Sequence, residues 1–279
     1  MSKINVLRKI SVLMLCVLAV GMLTSCGRKT KKEKELREQA IGFMENGDYG
    51  AAIARFNEAL SMQDSHYGKL EMDILKYRAE AEIRNGDYAA ADSTYAKLIE
   101  FEGESADYLN LRVICISHAG SDLKKAIEYY HRAADKEGSE VIRRQALYAL
   151  GSALAKSDYE SYHEEAEAIY LEALEDTEKR SGELYNRMGM MCFEKGDYDL
   201  AQDYFNEGIK FINNSDNGEE TDVLKPLKYN LAVCHEYRQE YEKALEEFKA
   251  YRDTYGSDED VEHEIAFLET RVVSNEEAE

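Results

Sequence analysis

Histidine and cysteine are the side chains best suited to ligate metals or act as nucleophiles. The sequence holds six histidines and five cysteines. The histidines are His66, His118, His131, His163, His235 and His263, and no pair has the His-Glu-x-x-His spacing of a helical zinc site. Cys115, Cys192 and Cys234 stand far apart without a C-x-x-C step, which argues against a zinc ribbon or a thioredoxin-like site. All three are expected as small buried thiols. His235 falls at a core-like position and is expected as a buried, satisfied imidazole. Asn213, Ser215 and Asn217 alternate as in a calcium loop. The twelfth position is Leu224, where a bidentate Glu is required. Phosphate-binding loops, nucleophile elbows and dinucleotide fingerprints are absent from the sequence. Paired acids such as Glu164/Glu165 and Glu246/Glu247 read as solvated helix faces. The side chains therefore predict no enzyme, no cofactor and no metal.

The chain has 279 residues, 35 Lys+Arg against 56 Asp+Glu, and a formal net charge of −21. Such acidity disfavours nucleic acid, whose phosphates need a basic face. It favours a basic or extended protein partner and would speed its encounter at low salt. One Pro, 17 Gly and 20 Tyr argue against a disordered linker and against a turn-rich all-β fold.

The start of the chain reads as an address. Lys3, Arg8 and Lys9 precede an apolar run from Ile10 to Leu23, too short to span a bilayer comfortably as a helix. Leu23-Thr24-Ser25-Cys26 follows. It resembles the bacterial lipoprotein lipobox. The resemblance implies that residues 1–25 are a lipoprotein signal peptide and that Cys26 carries acyl chains such as palmitate. Two or three such chains anchor stably where one would be marginal. It also implies a cell-envelope, extracytoplasmic location, with the inner or outer membrane left open. Loss of residues 1–25 leaves a net charge of −24. Residues 26–34 form a lipidated basic tether, with Arg28, Lys29, Lys31, Lys32 and Lys34 against Glu33 alone.

What remains must position any binding surface, and it repeats. Asn46-Gly47-Asp48-Tyr49, Asn85-Gly86-Asp87-Tyr88 and Lys195-Gly196-Asp197-Tyr198 are each followed by an alanine and then an aromatic four residues later. The pairs are Ala52/Phe56, Ala91/Tyr95 and Ala201/Phe205, and the step recurs as Ala126/Tyr130, Ala166/Tyr170 and Ala244/Phe248. Upstream stand small residues, Ala40, Ala79, Gly151, Gly189 and Ala232, in apolar helical patterns. This pattern resembles the tetratricopeptide repeat (TPR) across residues 35–256. The resemblance implies an all-α fold, a right-handed α-solenoid of about six helix-turn-helix repeats. Glycines should end the first helices, Asp48, Asp87 and Asp197 should cap the second, and the aromatics should fill the space between. The family's Trp is missing, with Leu36, Leu75, Leu147 and Tyr185 near its place. The fourth unit is expected to have a longer turn from Lys156 to His163, and Pro226 to open a helix. Residues 257–279 are expected as a capping helix, carrying Val261, Ile265, Ala266, Leu268 and Val272, with a frayed acidic end at 274–279.

In this family the first helices line the concave side. The resemblance places there Tyr77, Arg84, Tyr108, Arg112, Tyr148, Asn186, Arg187, Tyr229, Asn230 and Tyr237. Tyrosines, amides and arginines make a plausible recognition surface. The function implied is a lipid-anchored protein-protein interaction scaffold or adaptor that binds a protein or peptide in the groove. The alternative is a solute- or glycan-binding lipoprotein associated with a transporter. Self-association is open.

Overall fold

The computed structural model describes residues 29–62, 67–177, 179–214 and 221–276. The segment 1–25 expected as a signal peptide, Cys26, His66, Ser215 and Asn217 lie outside the described residues. All regular structure among the described residues is helical. The helices are α1 (29–45), α2 (Tyr49–Leu60), α3 (Lys69–Arg84), α4 (Tyr88–Glu102), α5 (Ala106–Ala119), α6 (Leu123–Ala134) and α7 (Glu140–Ala155). They continue as α8 (Glu160–Glu175), α9 (Gly182–Glu194), α10 (Tyr198–Asn214), α11 (Thr221–Tyr237), α12 (Tyr241–Tyr255) and α13 (Glu259–Glu276). Six helix pairs and a final helix make up the described residues, an all-α tetratricopeptide architecture.

The turns follow from two residues. Gly47, Gly86 and Gly196 have φ of 76°, 78° and 79°, a conformation that costs a side-chain-bearing residue energy. That conformation closes a Schellman motif, in which Asp48 N–H donates to Phe43 O and Gly47 N–H to Met44 O. The next residue then starts the second helix. Asp48 accepts from Ala51 N–H, Asp87 from Ala90 N–H and Asp197 from Leu200 N–H. Each turn thus ends one helix and caps the next within three residues, which forces antiparallel neighbours. The third unit does the same with Gly120, at φ 60°, and Asp122, one residue further on. In the sixth unit Gln239 takes the glycine's place at φ 63°.

Two compact units divide the chain at Ala149/Leu150, inside α7. In the first, Leu36, Ala40, Ala52, Phe56, Leu75, Ala79, Ala91 and Tyr95 form one buried cluster. The small residues let helices approach so that the rings fill the gap. In the second unit two of the small residues are glycines. A Cβ on Gly151 would lie 2.2 Å from the Tyr170 ring, and one on Gly189 would lie 2.4 Å from the Phe205 ring. At the end of the chain Val261, Ile265 and Leu268 cover Ala232, Phe248 and Tyr251.

Several sequence expectations shift. In the third unit the buried ring is Tyr129, and Tyr130 is half-buried. The described part of the expected tether, residues 29–34, is helical, and Glu33 and Leu36 are buried. The fourth turn is shorter than expected, since α8 starts at Glu160 and includes His163. Pro226 lies inside α11, where its ring removes the bond to the fourth carbonyl before it. The last helix runs on to Glu276, and its Ala266 is exposed.

Candidate functional site

The ten residues proposed for the groove divide by what holds them. Tyr77 is half-buried, its ring 6.3 Å from Phe56 with an interplanar angle of 16°. Arg37 lies 5.0 Å over that ring and is tied to Asp73 at 2.5 Å. Tyr108 donates its hydroxyl to Glu102, which also accepts from Lys76 at 3.0 Å. Burial, and then the hydrogen bond to Glu102, push the Tyr108 phenol above its ordinary range. Tyr148 is half-buried on α7.

Arg112 departs from expectation. It is 8% exposed, and its guanidinium grips Asp92 with two bonds of 2.6 and 3.0 Å and donates to the Tyr129 hydroxyl at 2.9 Å. The guanidinium carbon sits 4.5 Å from the Tyr129 ring. This side chain ties α4, α5 and α6 together and presents no open guanidinium. The signal for it was Asp92, directly after a core alanine, which the repeat pattern alone did not single out.

Arg84 and Tyr237 share another arrangement. Each ends a first helix and covers the tyrosine that opened the preceding second helix. Arg84 lies 6.0 Å over Tyr49, and Tyr237 lies 5.4 Å from Tyr198. His118 does the same over Tyr88 at 4.7 Å. Tyr237 remains 55% exposed and also meets Phe193 at 4.8 Å.

In the second unit, α9 and α11 bring Asn186 and Asn230 together. Asn230 Nδ2 donates to Asn186 Oδ1 at 2.8 Å across 44 residues of sequence. Beside them Arg187 donates to the Ser152 hydroxyl and pairs with Glu183 at 2.6 Å. Asn186, Arg187, Ser152, Tyr170, Met190 and Met191 line part of a cavity of about 250 Å³. Tyr229 is half-buried and packs edge-on to Phe248 at 5.5 Å and Tyr251 at 5.6 Å. Of the ten, Asn186, Arg187 and Asn230 are the set that one locality gathers.

The thiols are held away from reactivity. Burial pushes Cys115 up to about 12, and Cys192 and Cys234 up to about 11, so little thiolate forms at neutral pH. His235 is 1% exposed, with Nδ1 2.6 Å from Glu240 and Nε2 3.4 Å from Glu247. Among the described residues no three His, Cys, Asp or Glu side chains are grouped to hold a metal ion. No described helix is long and apolar enough to cross a membrane.

Helix pairs of this length, joined by Gly-Asp turns and packed through small residues and rings, make a tetratricopeptide-type all-helical fold. Tetratricopeptide-repeat models match residues 37–106 and 182–214, so those segments are tetratricopeptide repeats. Solved structures share the fold. One is the C-terminal part of a TPR repeat-containing protein from Cytophaga hutchinsonii, 15% identical, with 89% of this chain and 94% of that one covered and a TM-score of 0.59. PilW, a widely conserved type IV pilus biogenesis factor, is 16% identical over 85% of this chain and 97% of its own, with a TM-score of 0.56. A tetratricopeptide repeat protein from Parabacteroides merdae is 17% identical over 85% and 99%, with a TM-score of 0.51.

Proposed function

We propose that this chain is an interaction scaffold of the bacterial cell envelope. A lipid on Cys26 holds it outside the cytoplasm, and its first helices capture a protein or peptide partner. The observation that carries the reading is the Asn186–Asn230 pair, contributed by successive first helices. Each amide has one donor group and one acceptor oxygen. Their mutual bond leaves the Asn186 amino group and the Asn230 oxygen for other bonds. An extended peptide backbone offers both an acceptor and a donor to such a pair. The acidic net charge of −21 favours a basic partner and its rapid encounter. Recognition along the repeat surface requires no cofactor.

A solute- or glycan-binding role has less support. The cavity beside Asn186, at about 250 Å³, falls below the ~300–1,000 Å³ usual for small-molecule pockets.

Cross-linking on intact cells followed by capture and mass spectrometry tests the reading. The native chain is compared with Asn186→Ala/Asn230→Ala and with Cys26→Ala. A defined partner lost from the double variant, whose melting is unchanged, supports capture at this pair. Partners identical in all forms would remove it. Cys26→Ala should leave the membrane fraction, and its retention there would refute the anchor.

A further inference from the structure

We propose that the seam between α9 and α11 holds a subsite for an arginine side chain of the bound peptide, at the ring of Tyr237. This deepens the capture reading and rests on it for the peptide that brings the arginine. Two contacts define the seam. Asn230 donates to Asn186 at 2.8 Å, and Tyr237 meets Phe193 edge-on with ring centroids 4.8 Å apart. Phe193 stands seven residues after Asn186, and Tyr237 stands seven after Asn230. At about 100° per residue, seven residues return to nearly the same helix face. Both helices therefore present an amide and then a ring on one face, in register and in the same direction. The two levels lie about 10 Å apart along the axis, at about 1.5 Å per residue. An extended peptide covers that distance in about three residues of about 3.3 Å each. A chain held by its backbone at the amides thus brings a side chain to the rings.

Charge selects what that side chain is. Residues 150–279 hold 13 Lys+Arg against 34 Asp+Glu, and residues 1–149 hold 22 of each. The whole net charge of −21 therefore falls in the unit that contains the seam. Tyr237 is 55% exposed, so much of its ring is open to a ligand. A cation over an aromatic ring is attracted by the ring's quadrupole. Glu194, exposed and next after Phe193, adds a carboxylate at this level. Cations close in sequence to the rings are already engaged. Arg238 pairs with Asp199 at 2.5 Å and with Glu240 at 3.0 Å, and Lys195 pairs with Glu167 at 2.6 Å. Lys156, which lines a cavity together with Glu194, is one cation set against the acidic excess. Lysine suits the subsite less well than arginine. Its ammonium is a strongly hydrated point charge, whereas a guanidinium stacks flat on a ring and can bond a carboxylate through its edge.

The test uses residues 26–279 with Cys26→Ser, which keeps every described helix. The probe is a dye-labelled, end-capped decapeptide of alternating Arg and Ser, with Lys-Ser and Glu-Ser versions beside it. Affinity is read by fluorescence anisotropy. The parent should bind the Arg peptide more tightly than the Lys peptide and should not bind the Glu peptide. Tyr237→Leu should weaken the Arg peptide about two- to fivefold and erase its advantage over the Lys peptide. Tyr237→Phe keeps the ring and should keep the preference for Arg. Tyr159→Leu removes an exposed tyrosine elsewhere in the same unit and should change nothing. Attraction between opposite charges alone predicts equal binding by these chains, because none of them alters a charge. A second pair of variants does not disturb the ring cluster. Glu194→Gln should weaken the Arg peptide more than Glu172→Gln, which removes the same charge from an exposed position on α8. Equal Arg-peptide affinity in the parent and a normally melting Tyr237→Leu, or equal effects of the two Glu→Gln changes, overturns the proposal. The Asn186→Ala/Asn230→Ala chain separates the two readings. If it loses the Arg peptide while Tyr237→Leu keeps it, capture at the amides stands and the arginine subsite falls. If Tyr237→Leu loses the preference while the double variant binds as the parent does, the subsite stands and the amides fall.

Discussion

Asn110 is where the third repeat breaks its own rule. Leu36, Leu75 and Tyr185 stand sixteen residues before the core alanines Ala52, Ala91 and Ala201, and Asn110 stands sixteen before Ala126. Leu36 and Leu75 are buried as apolar filling. Asn110 is 1% exposed, and neither of its amide atoms meets a protein partner. Burying such a group costs about 1–3 kcal/mol. Asn110→Leu should therefore stabilise the chain, seen as a higher urea midpoint with an unchanged slope. A lower midpoint would mean that the amide is bonded in solution. Arg112 makes the opposite case. Arg112→Ala removes charged hydrogen bonds to Asp92 and should cost about 1.5–3 kcal/mol. Arg112→Lys should not restore it, because an ammonium cannot hold a carboxylate with two parallel bonds. Full stability in the Ala variant would return Arg112 to the candidate groove residues. Both residues were visible in the sequence, but their roles were not. Type and repeat position say which face a side chain starts from. They do not say whether an aspartate on the neighbouring helix, here Asp92, will turn it inward.

At the scale of elements the turns were the most legible part. Gly-Asp fixes a left-handed residue and an N-cap by local backbone geometry, so Asp48, Asp87 and Asp197 cap as their positions require. The third and sixth turns were not legible, because Gly120 is separated from its cap by Ser121, and Gln239 replaces the glycine. The start of α8 was also harder to read, since Tyr159 before it makes no side-chain cap bond. Gln239 gives a signed prediction. A non-glycine residue at φ 63° carries strain of about 1 kcal/mol. Gln239→Gly should raise the thermal midpoint slightly, while Gly196→Gln should lower it. Equal midpoints for all three chains would show that the turn relaxes without cost. The contact between α11 and α13 predicts a pH effect. Burial, and then the neighbouring Glu264 carboxylate, push Glu236 up to about 7, against the opposing charge of His263. The folded chain thus holds this proton more tightly than the unfolded chain does. The stability it contributes is complete below the ordinary carboxylate range and is lost as pH rises through about 7. The native chain should therefore lose stability relative to Glu236→Gln between pH 5 and pH 8. Parallel pH profiles for the two chains would refute the coupling.

For the whole molecule, the repeat register made the fold class legible, because one set of spacings recurs through six pairs. The candidate site was legible only as a list. A tetratricopeptide pattern marks first-helix positions but not which of them neighbouring residues use up. Tyr77 packs on Phe56, Tyr237 covers Tyr198, and Asn186 finds Asn230 through contacts between repeats. The same dependence on neighbours holds for the sixth pair. A repeat cannot close its own core, so this pair needs a neighbour against its apolar side. Helix α13 supplies it, burying Val261, Ile265 and Leu268 while Glu262, His263 and Glu269 face solvent. Removing residues 257–279 would uncover the side of the sixth pair where Ala232, Phe248 and Tyr251 now lie against α13. Burial of three aliphatic side chains is worth about 1.5–3 kcal/mol each, so the loss should be several kcal/mol. The truncated chain should melt at lower temperature and associate as its concentration rises, because the uncovered apolar face invites a second copy. Sedimentation velocity over a concentration series reads the association directly. The variant Val261→Asp/Leu268→Asp keeps the full length and should reproduce both effects. If both chains stay monomeric and melt as the parent does, α13 is an appendage, and the sixth pair closes its core without it.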